Sequence, residues 1–255
     1  MPASLSLHAL PGLPMVRPGD DLAGLIEAGL ARAGLALQPG DVLVLAQKVV
    51  SKAEGRIVAI PDVVASAEAI ELAQTVQKDP RVVQVILDQA MRVVRARPNL
   101  LIVEHKRGWV MANAGIDHSN VGAQDGTERV LLLPEDPDAS AERLRARLAP
   151  SVGGPLGVVI SDSFGRAWRR GTAGIAIGAA GLPALVDLRG NPDLFGRILE
   201  VSISGFADEI AAAASLIQGQ GNEGQPVVLV RGLTWSQPAM GAAQLVRPPQ
   251  EDLFR

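Results

Sequence analysis

Cysteine is absent from all 255 residues, so no disulfide framework, thiolate metal site or cysteine nucleophile exists in this chain. Tyrosine is absent too, and aromatics make up 3% of residues against a hydrophobic fraction of 47%, so Ala, Val, Leu and Ile must build the core. Aliphatic cores of that kind suit helices packed on sheets. Neither sign of charge dominates: 24 Lys and Arg against 27 Asp and Glu leave a formal charge of -3, without the global basic field that favours nucleic acid. No apolar run reaches the roughly 18 residues of a membrane span. The N-terminus, Met1-Pro-Ala-Ser-Leu-Ser-Leu-His-Ala-Leu10, lacks the basic and apolar regions of a secretory signal. The expectation is a soluble, cytoplasmic protein with no nucleic-acid and no membrane partner, long enough for one large domain or two small ones.

What is present reads as strands and helices in alternation. Asp20 and Asp21 are placed to cap a helix over 22–33, and Pro39-Gly40-Asp41 breaks the chain before an apolar strand at 42–45. That strand delivers Gln47, Lys48, Ser51 and Lys52 just past its end, where α/β sheets commonly hold ligands. Lys48 and Lys52 share a face if the segment is helical. Apolar spacing over 61–95 predicts two helices broken at Asp79-Pro80, and 100–104 with 108–111 predict a hairpin across His105-Lys-Arg107. A strand is expected at 128–133, then a turn, then a short helix over 141–148 capped by Ser140 and carrying Arg143, Arg145 and Arg147. Gly153-Gly154-Pro155 is the candidate subdomain boundary within a single 1–255 unit, and it precedes an apolar strand at 156–160. A Gly/Ala-rich stretch over 171–181 follows, then strands near Leu185 and at 200–204, a helix over 206–218 and a strand over 227–231.

Two polar segments stand out as candidate sites. The first, Asn113-Ala-Gly-Ile-Asp117-His-Ser-Asn120, follows a predicted strand. Its carboxylate, hydroxyl and amide oxygens are hard donors suited to Mg²⁺ or Mn²⁺, although a loop of this composition is more often a solvated turn. The second, Ser161-Asp162-Ser163-Phe-Gly-Arg166, ends an apolar run and is followed by Trp168, Arg169 and Arg170. A carboxylate and hydroxyl at a strand terminus can ligate a metal while arginines neutralise phosphate oxygens; the alternative is a surface ion-pair cluster with Trp168 packed on an arginine. A third segment, Gly219-Gln220-Gly221-Asn222-Glu223-Gly224, could lay backbone N–H groups against a phosphate. Its spacing fits neither a Walker loop nor a dinucleotide fingerprint, and a loop of this kind is more often a plain flexible linker. His8, His105 and His118 lack zinc-site spacing, and no serine sits in a Gly-x-Ser-x-Gly elbow.

Taken together, Gly40-Asp-Val-Leu-Val-Leu-Ala-Gln-Lys-Val-Val-Ser-Lys-Ala-Glu-Gly-Arg56, Asn113-Ala-Gly-Ile-Asp-His-Ser-Asn-Val121, Asp162-Ser-Phe-Gly-Arg-Ala-Trp-Arg-Arg-Gly171 and Ala207-Asp-Glu-Ile-Ala-Ala211 resemble one family. It is the coenzyme F420-0:L-glutamate ligase family, and the similarity runs in order from Leu10 to Leu233. The resemblance implies an unusual mixed-sheet α/β ligase fold forming an intertwined homodimer. It implies GTP-dependent addition of L-glutamate to the carboxylate of the deazaflavin precursor coenzyme F420-0, with further γ-linked glutamates in many members, activated by Mg²⁺ or Mn²⁺ and by K⁺.

Carried onto matching positions, the resemblance makes Asp117, Asp162 and Ser163 metal ligands, with Gln220 as a fourth contributor. Archaeal members place a carboxylate where this chain has Gln220, and an amide oxygen is the poorer, uncharged ligand. Leu13, Pro14, Met15, Val16, Gln47, Lys48, Lys52 and Asn120 would surround GTP, together with Gln218, Gly219, Gln220, Gly221, Asn222 and Glu223. Lys52, Arg166, Arg169 and Arg170 would offset charge on the transferring phosphoryl group. Some members carry a further flavin-binding domain; the sequence stops at Arg255, shortly past the end of the similarity, so none is expected here. Two other readings stay open: a related nucleotide-dependent amino-acid ligase with another acceptor, and a non-catalytic nucleotide-binding subunit.

Overall fold

The structure is a computed structural model that describes residues 4–118, 126–165 and 167–253. Its strands are β1 (Ser6–Ala9), β2 (Asp41–Ala46), β3 (Ile57–Ala59), β4 (Ala90–Arg97), β5 (Leu100–His105), β6 (Val110–Ala112), β7 (Arg129–Leu131), β8 (Leu156–Gly165), β9 (Thr172–Ala180), β10 (Val186–Asp187), β11 (Ile203–Ser204) and β12 (Val227–Arg231). Its helices are α1 (Leu22–Arg32), α2 (Gln47–Ala53), α3 (Ala67–Val76), α4 (Pro80–Gln89), α5 (Pro137–Leu148) and α6 (Phe206–Gln218). The fold is mixed α/β.

The principal sheet has the order β1-β12-β2-β8-β9, antiparallel throughout except for the parallel pair β2 and β8. Successive side chains of a strand face opposite ways, so a fully apolar strand must be covered twice. Leu43, Leu45, Val158, Ile160, Val227 and Leu229 point to one face, where α1, α2 and α5 contribute Ile26, Leu30, Val50, Ala141 and Leu148. Val42, Val44, Val159, Val228 and Val230 point to the other, against Ala207, Ile210, Ala211 and Ala214 of α6. Gly153-Gly154-Pro155 leads directly into β8, which pairs with β2 of the N-terminal part in this one sheet. A third core, around Ile60, Val83, Ile86, Leu101, Val103 and Val130, joins α3 and α4 to the smaller sheets β4-β5-β6 and β3-β7.

The Gly/Ala-rich stretch is the edge strand of the principal sheet, β9, and its residues are small because both neighbouring helices approach it too closely for larger side chains. A Cβ added at Gly174 would lie 2.5 Å from the Ala211 carbonyl oxygen of α6, and one at Gly178 would collide with the Pro137 carbonyl of α5. The Ala176 N–H, beside a register shift against β8, donates to Asp208 Oδ1 at 2.8 Å, which gives the acidic residue of the Ala207–Ala211 motif a structural task.

Several local expectations need correction. The 61–95 region holds two helices parted at Asp79-Pro80, but its end, Ala90–Arg97, is strand β4, recruited by pairing with β5. Helix α5 starts at Pro137 rather than at residue 141, and its cap is Asp136, whose Oδ1 accepts the Ala139 N–H at 3.1 Å. A carboxylate there satisfies an orphan N–H and the proline needs none, so the helix begins a turn earlier and Ser140 lies inside it. Asp21 occupies the N-cap position of α1, yet its side chain makes no capping bond.

Candidate active site

The parallel strands β2 and β8 end side by side, with Ala46 opposite Ser161. Whatever follows each strand is delivered to the same edge of the sheet, the usual place for a ligand in an α/β fold. After β2 the chain turns into α2 and presents Gln47, Lys48 and Lys52; β8 continues past its apolar run and presents Asp162 and Ser163. Two confluent cavities of about 260 and 390 Å³ share Gln47, Lys48, Asp162, Ser163 and Gln220 as walls. The first is completed by Met111, Gly115, Ile116, Asp117 and Phe164, the second by Met15, Lys52, Ser161, Gln218 and the loop through Asn222.

Asp117 reaches this cleft through a tightly wound turn. Asn113, Ala114 and Gly115 take consecutive positive φ angles of 51°, 53° and 70°. At Gly115 a Cβ would come within 2.7 Å of Met111 and 2.8 Å of Leu133, so the turn closes only with glycine. Asp117 is then fixed by a two-bond bridge to Leu131, at 3.0 and 2.9 Å, while its carboxylate meets the Lys48 ammonium at 2.6 Å.

The cleft sets charges against burial. Burial pushes the Asp162 carboxyl up to about 6; the Ser163 N–H opposes the rise, the Asp117 charge adds to it and Lys48 counters it. Burial also lowers the Lys52 ammonium, helped by the charge of Lys48 and opposed by Asp117. Two carboxylates therefore repel across a space that two ammonium groups only partly neutralise.

The 219–224 loop is tied down by its own acid. The Glu223 carboxylate accepts the Gly221 N–H at 2.8 Å and is held below its ordinary pKa by backbone N–H groups of Glu223, Gly221 and Gln220. Gly219 adopts φ 74°, and a Cβ there would collide with that carboxylate. Gln218 anchors the loop base, its amide donating to the carbonyls of Val44 and Pro226 at 3.4 and 3.3 Å.

The structure thus brings together Met15, Gln47, Lys48, Lys52, Asp117, Asp162, Ser163, Gln218, Gly219, Gln220, Gly221 and Asn222. Other expected site residues sit elsewhere. Leu13 and Val16 pack into the core, and Pro14 lines a separate surface depression. The Glu223 carboxylate turns back on its loop, and Arg169 and Arg170 are exposed in the connection between β8 and β9, outside the cleft walls. Asn120 and Arg166 lie outside the described residues. Met111, Ile116, Phe164 and Ser215 line the cleft without having been singled out from sequence. Phe164 follows from continuing the β8 alternation past Ile160; Met111 carries no local signal.

The donor set is chemically coherent for a hard cation. Asp117, Asp162, Ser163 and Gln220 all offer oxygen, and among the described residues no group of three or more His, Cys, Asp or Glu could hold a metal. Mg²⁺ is typically bound by one or two carboxylates, with substrate phosphates and water completing the shell. The mutual repulsion of Asp117 and Asp162 is what a divalent ion relieves. No helix among the described residues is long and apolar enough to cross a membrane.

Comparison with known proteins agrees with this geometry. Residues 12–232 match the family described as F420-0:Gamma-glutamyl ligase. A protein of Methanothermobacter thermautotrophicus named Coenzyme F420:L-glutamate ligase is 43% identical over 253 residues, 98% of this chain and 99% of its own. Proteins of the same name from Methanopyrus kandleri and Archaeoglobus fulgidus are 45% and 43% identical, covering 99% and 96% of this chain and 98% and 94% of their own. The chain therefore belongs to the F420-0:Gamma-glutamyl ligase family and is an enzyme of that family.

Proposed function

We propose that this enzyme joins L-glutamate to the carboxylate of coenzyme F420-0 in a GTP-dependent reaction, and adds further γ-linked glutamates to the product. The observation that carries the reading is the meeting of Asp117 and Asp162 with Lys48 and Lys52 in one cleft beside the 219–224 loop. Amide formation from a free carboxylate requires an activated acyl group. In the proposed sequence an acceptor carboxylate oxygen attacks the γ-phosphorus of GTP, releasing GDP and forming an acyl phosphate. The glutamate amine then attacks the acyl carbon, phosphate departs and the amine loses its proton.

The protein's work in such a transfer is mainly positioning and charge neutralisation. Lys48 and Lys52 line the cleft from α2 and would face the phosphates, with the Gln218 side chain and residues of the 219–224 loop forming another part of the wall. Asp117, Asp162 and Ser163 would hold Mg²⁺ or Mn²⁺, with the neutral Gln220 as the weakest ligand, and the ion would supply charge neutralisation at phosphate oxygens. K⁺ is the further activator in this reading. In this reading Lys52 is the cleft-lining cation that offsets charge on the transferring phosphoryl group, and Arg166, Arg169 and Arg170 would add to it.

The reading includes a cytoplasmic homodimer with the family's intertwined arrangement. Between β10 and β11, Leu194 and Phe195 are 99% and 96% exposed and Val201 is 86% exposed. Large apolar groups held in water in one short arm favour burial by a second copy.

The test is incubation with GTP, L-glutamate and coenzyme F420-0, followed by mass spectrometry. Stepwise glutamyl mass increments, with GDP released only in the presence of acceptor, are expected. Acceptor-independent GDP release without glutamylated product would reject the reading.

A further inference from the structure

Beyond the cleft lies a second cavity, of about 380 Å³, lined by Arg56, Gln89, His105, Lys106, Arg107 and the 133–135 segment. It is separated from the cleft by one aromatic layer. The Trp109 ring is 5.2 Å from His105 on the cavity side and 6.4 Å, edge-on, from Phe164 on the cleft side.

The groups facing this cavity are almost all donors. Arg56 Nε donates to the Leu133 carbonyl at 3.0 Å, while Arg107 donates through Nε to the Glu135 carbonyl at 2.9 Å and pairs through Nη2 with the Asp136 carboxylate at 3.3 Å, so each guanidinium still keeps N–H groups for a further partner. The Lys106 ammonium makes no ion pair among the described residues. His105 Nδ1 accepts the Arg107 N–H at 3.0 Å, which places the proton of the neutral ring on Nε2. Burial first, then the charges of Arg107, Lys106 and Arg56, hold His105 down at about 4, so the ring adds a donor without a charge at neutral pH. The one lining carboxylate, Glu135, is 84% exposed at the rim and 3.7 Å from Arg56.

Spacing selects the ligand. The carbonyls that anchor the two guanidinium groups are two residues apart, and Pro134 biases Leu133 toward extended backbone, so they span at most about 7 Å. A four- or five-carbon dicarboxylate can span that distance with a carboxylate at each end, each matching one guanidinium edge. We infer that this cavity binds a small dicarboxylate, one carboxylate on Arg56 and the other on Arg107 and Lys106. Only the identity of the natural ligand, free glutamate or a γ-glutamyl tail, rests on the ligase reading.

The test is calorimetric titration of the intact protein at low ionic strength, without nucleotide, using glutarate and inorganic phosphate as probes. Glutarate is expected to bind at one site, more tightly than phosphate, and to lose at least tenfold in affinity in Lys106→Glu while GTP affinity stays unchanged. In the same titration followed by NMR, the His105 midpoint is expected to move to higher pH, because a bound anion cancels the surrounding positive charge. Parallel titrations with L-glutamate and γ-glutamylglutamate assign the source, the tighter ligand being the natural one. Absence of glutarate binding, equal affinity in Lys106→Glu, or phosphate binding as tightly as glutarate overturns the inference. Because no nucleotide is present, failure here and failure of the ligation assay are separate results.

Discussion

Lys48 Nζ lies 2.6 Å from Asp117 Oδ2, tying the first turn of α2 to the loop that follows β6. With 35% and 24% of the two side chains exposed, the contact is worth at most about 1 kcal/mol of stability. Its value lies in holding a cation and a carboxylate at the mouth of the cleft.

Lys48→Met is therefore expected to lower ligation at least tenfold while the denaturant midpoint barely moves. Steady-state kinetics and urea unfolding on one preparation check both halves. A stability loss well above 1 kcal/mol would mean that the pair is structural.

Asp162→Asn keeps the shape of the cleft and removes a charge from it. Turnover under saturating Mg²⁺ is expected to fall by two orders of magnitude or more, with circular dichroism unchanged. Unchanged turnover would remove Asp162 from the metal set.

The 219–224 loop yields a paired prediction. Glu223→Gln removes the charge that gathers the loop N–H groups, and Gly219→Ala places a Cβ against that carboxylate at φ 74°. Both are expected to raise KM for GTP several-fold with a smaller change in kcat. An effect confined to kcat would detach the loop from nucleotide binding.

His105 provides a pH test. Its folded pKa of about 4 lies below the unfolded value of 6.5, so between those values the unfolded chain binds the extra proton. The stability difference is absent above pH 6.5 and grows as pH falls toward 4, reaching a loss of about 3 kcal/mol. Urea unfolding of the protein and of His105→Gln at pH 7 and pH 4.5 isolates the effect, since carboxylate titrations are common to both. Parallel pH dependence of the two proteins would contradict the buried neutral ring.

Phe195→Glu puts a charge on the exposed arm between β10 and β11. Light scattering is expected to report a monomer for the variant and a dimer for the parent. A dimer in both would move the interface elsewhere.

Much of the scaffold was legible because its signals are local. The α6 helix, 206–218, and strand β12, 227–231, fall on their expected bounds, and Asp79-Pro80 parts two helices as the proline rule requires. The misreadings occur where a partner decides. Ala90–Arg97 extends because β5 pairs with it; the 171–181 stretch, to which composition assigns no element, forms a strand whose glycines give α5 and α6 room to approach. At the site, Asp117 and Asp162 could be named as oxygen donors from their flanking residues, but nothing in either segment indicates that they meet. Met111 enters the cleft through the packing of β6 beside β8, which no local pattern encodes.

The sequence by itself determined the aliphatic α/β character, the strand ends that carry polar groups, and membership of a ligase family, because periodicity, composition and motif order are properties of the linear chain. Only the tertiary structure decided which polar groups share one cleft. It placed Lys48 on Asp117, turned Glu223 back onto its own loop, and left Arg169 and Arg170 outside. The reason is physical: burial and charge at each of these groups depend on neighbours distant in sequence, and those neighbours exist only once β2 and β8 lie side by side.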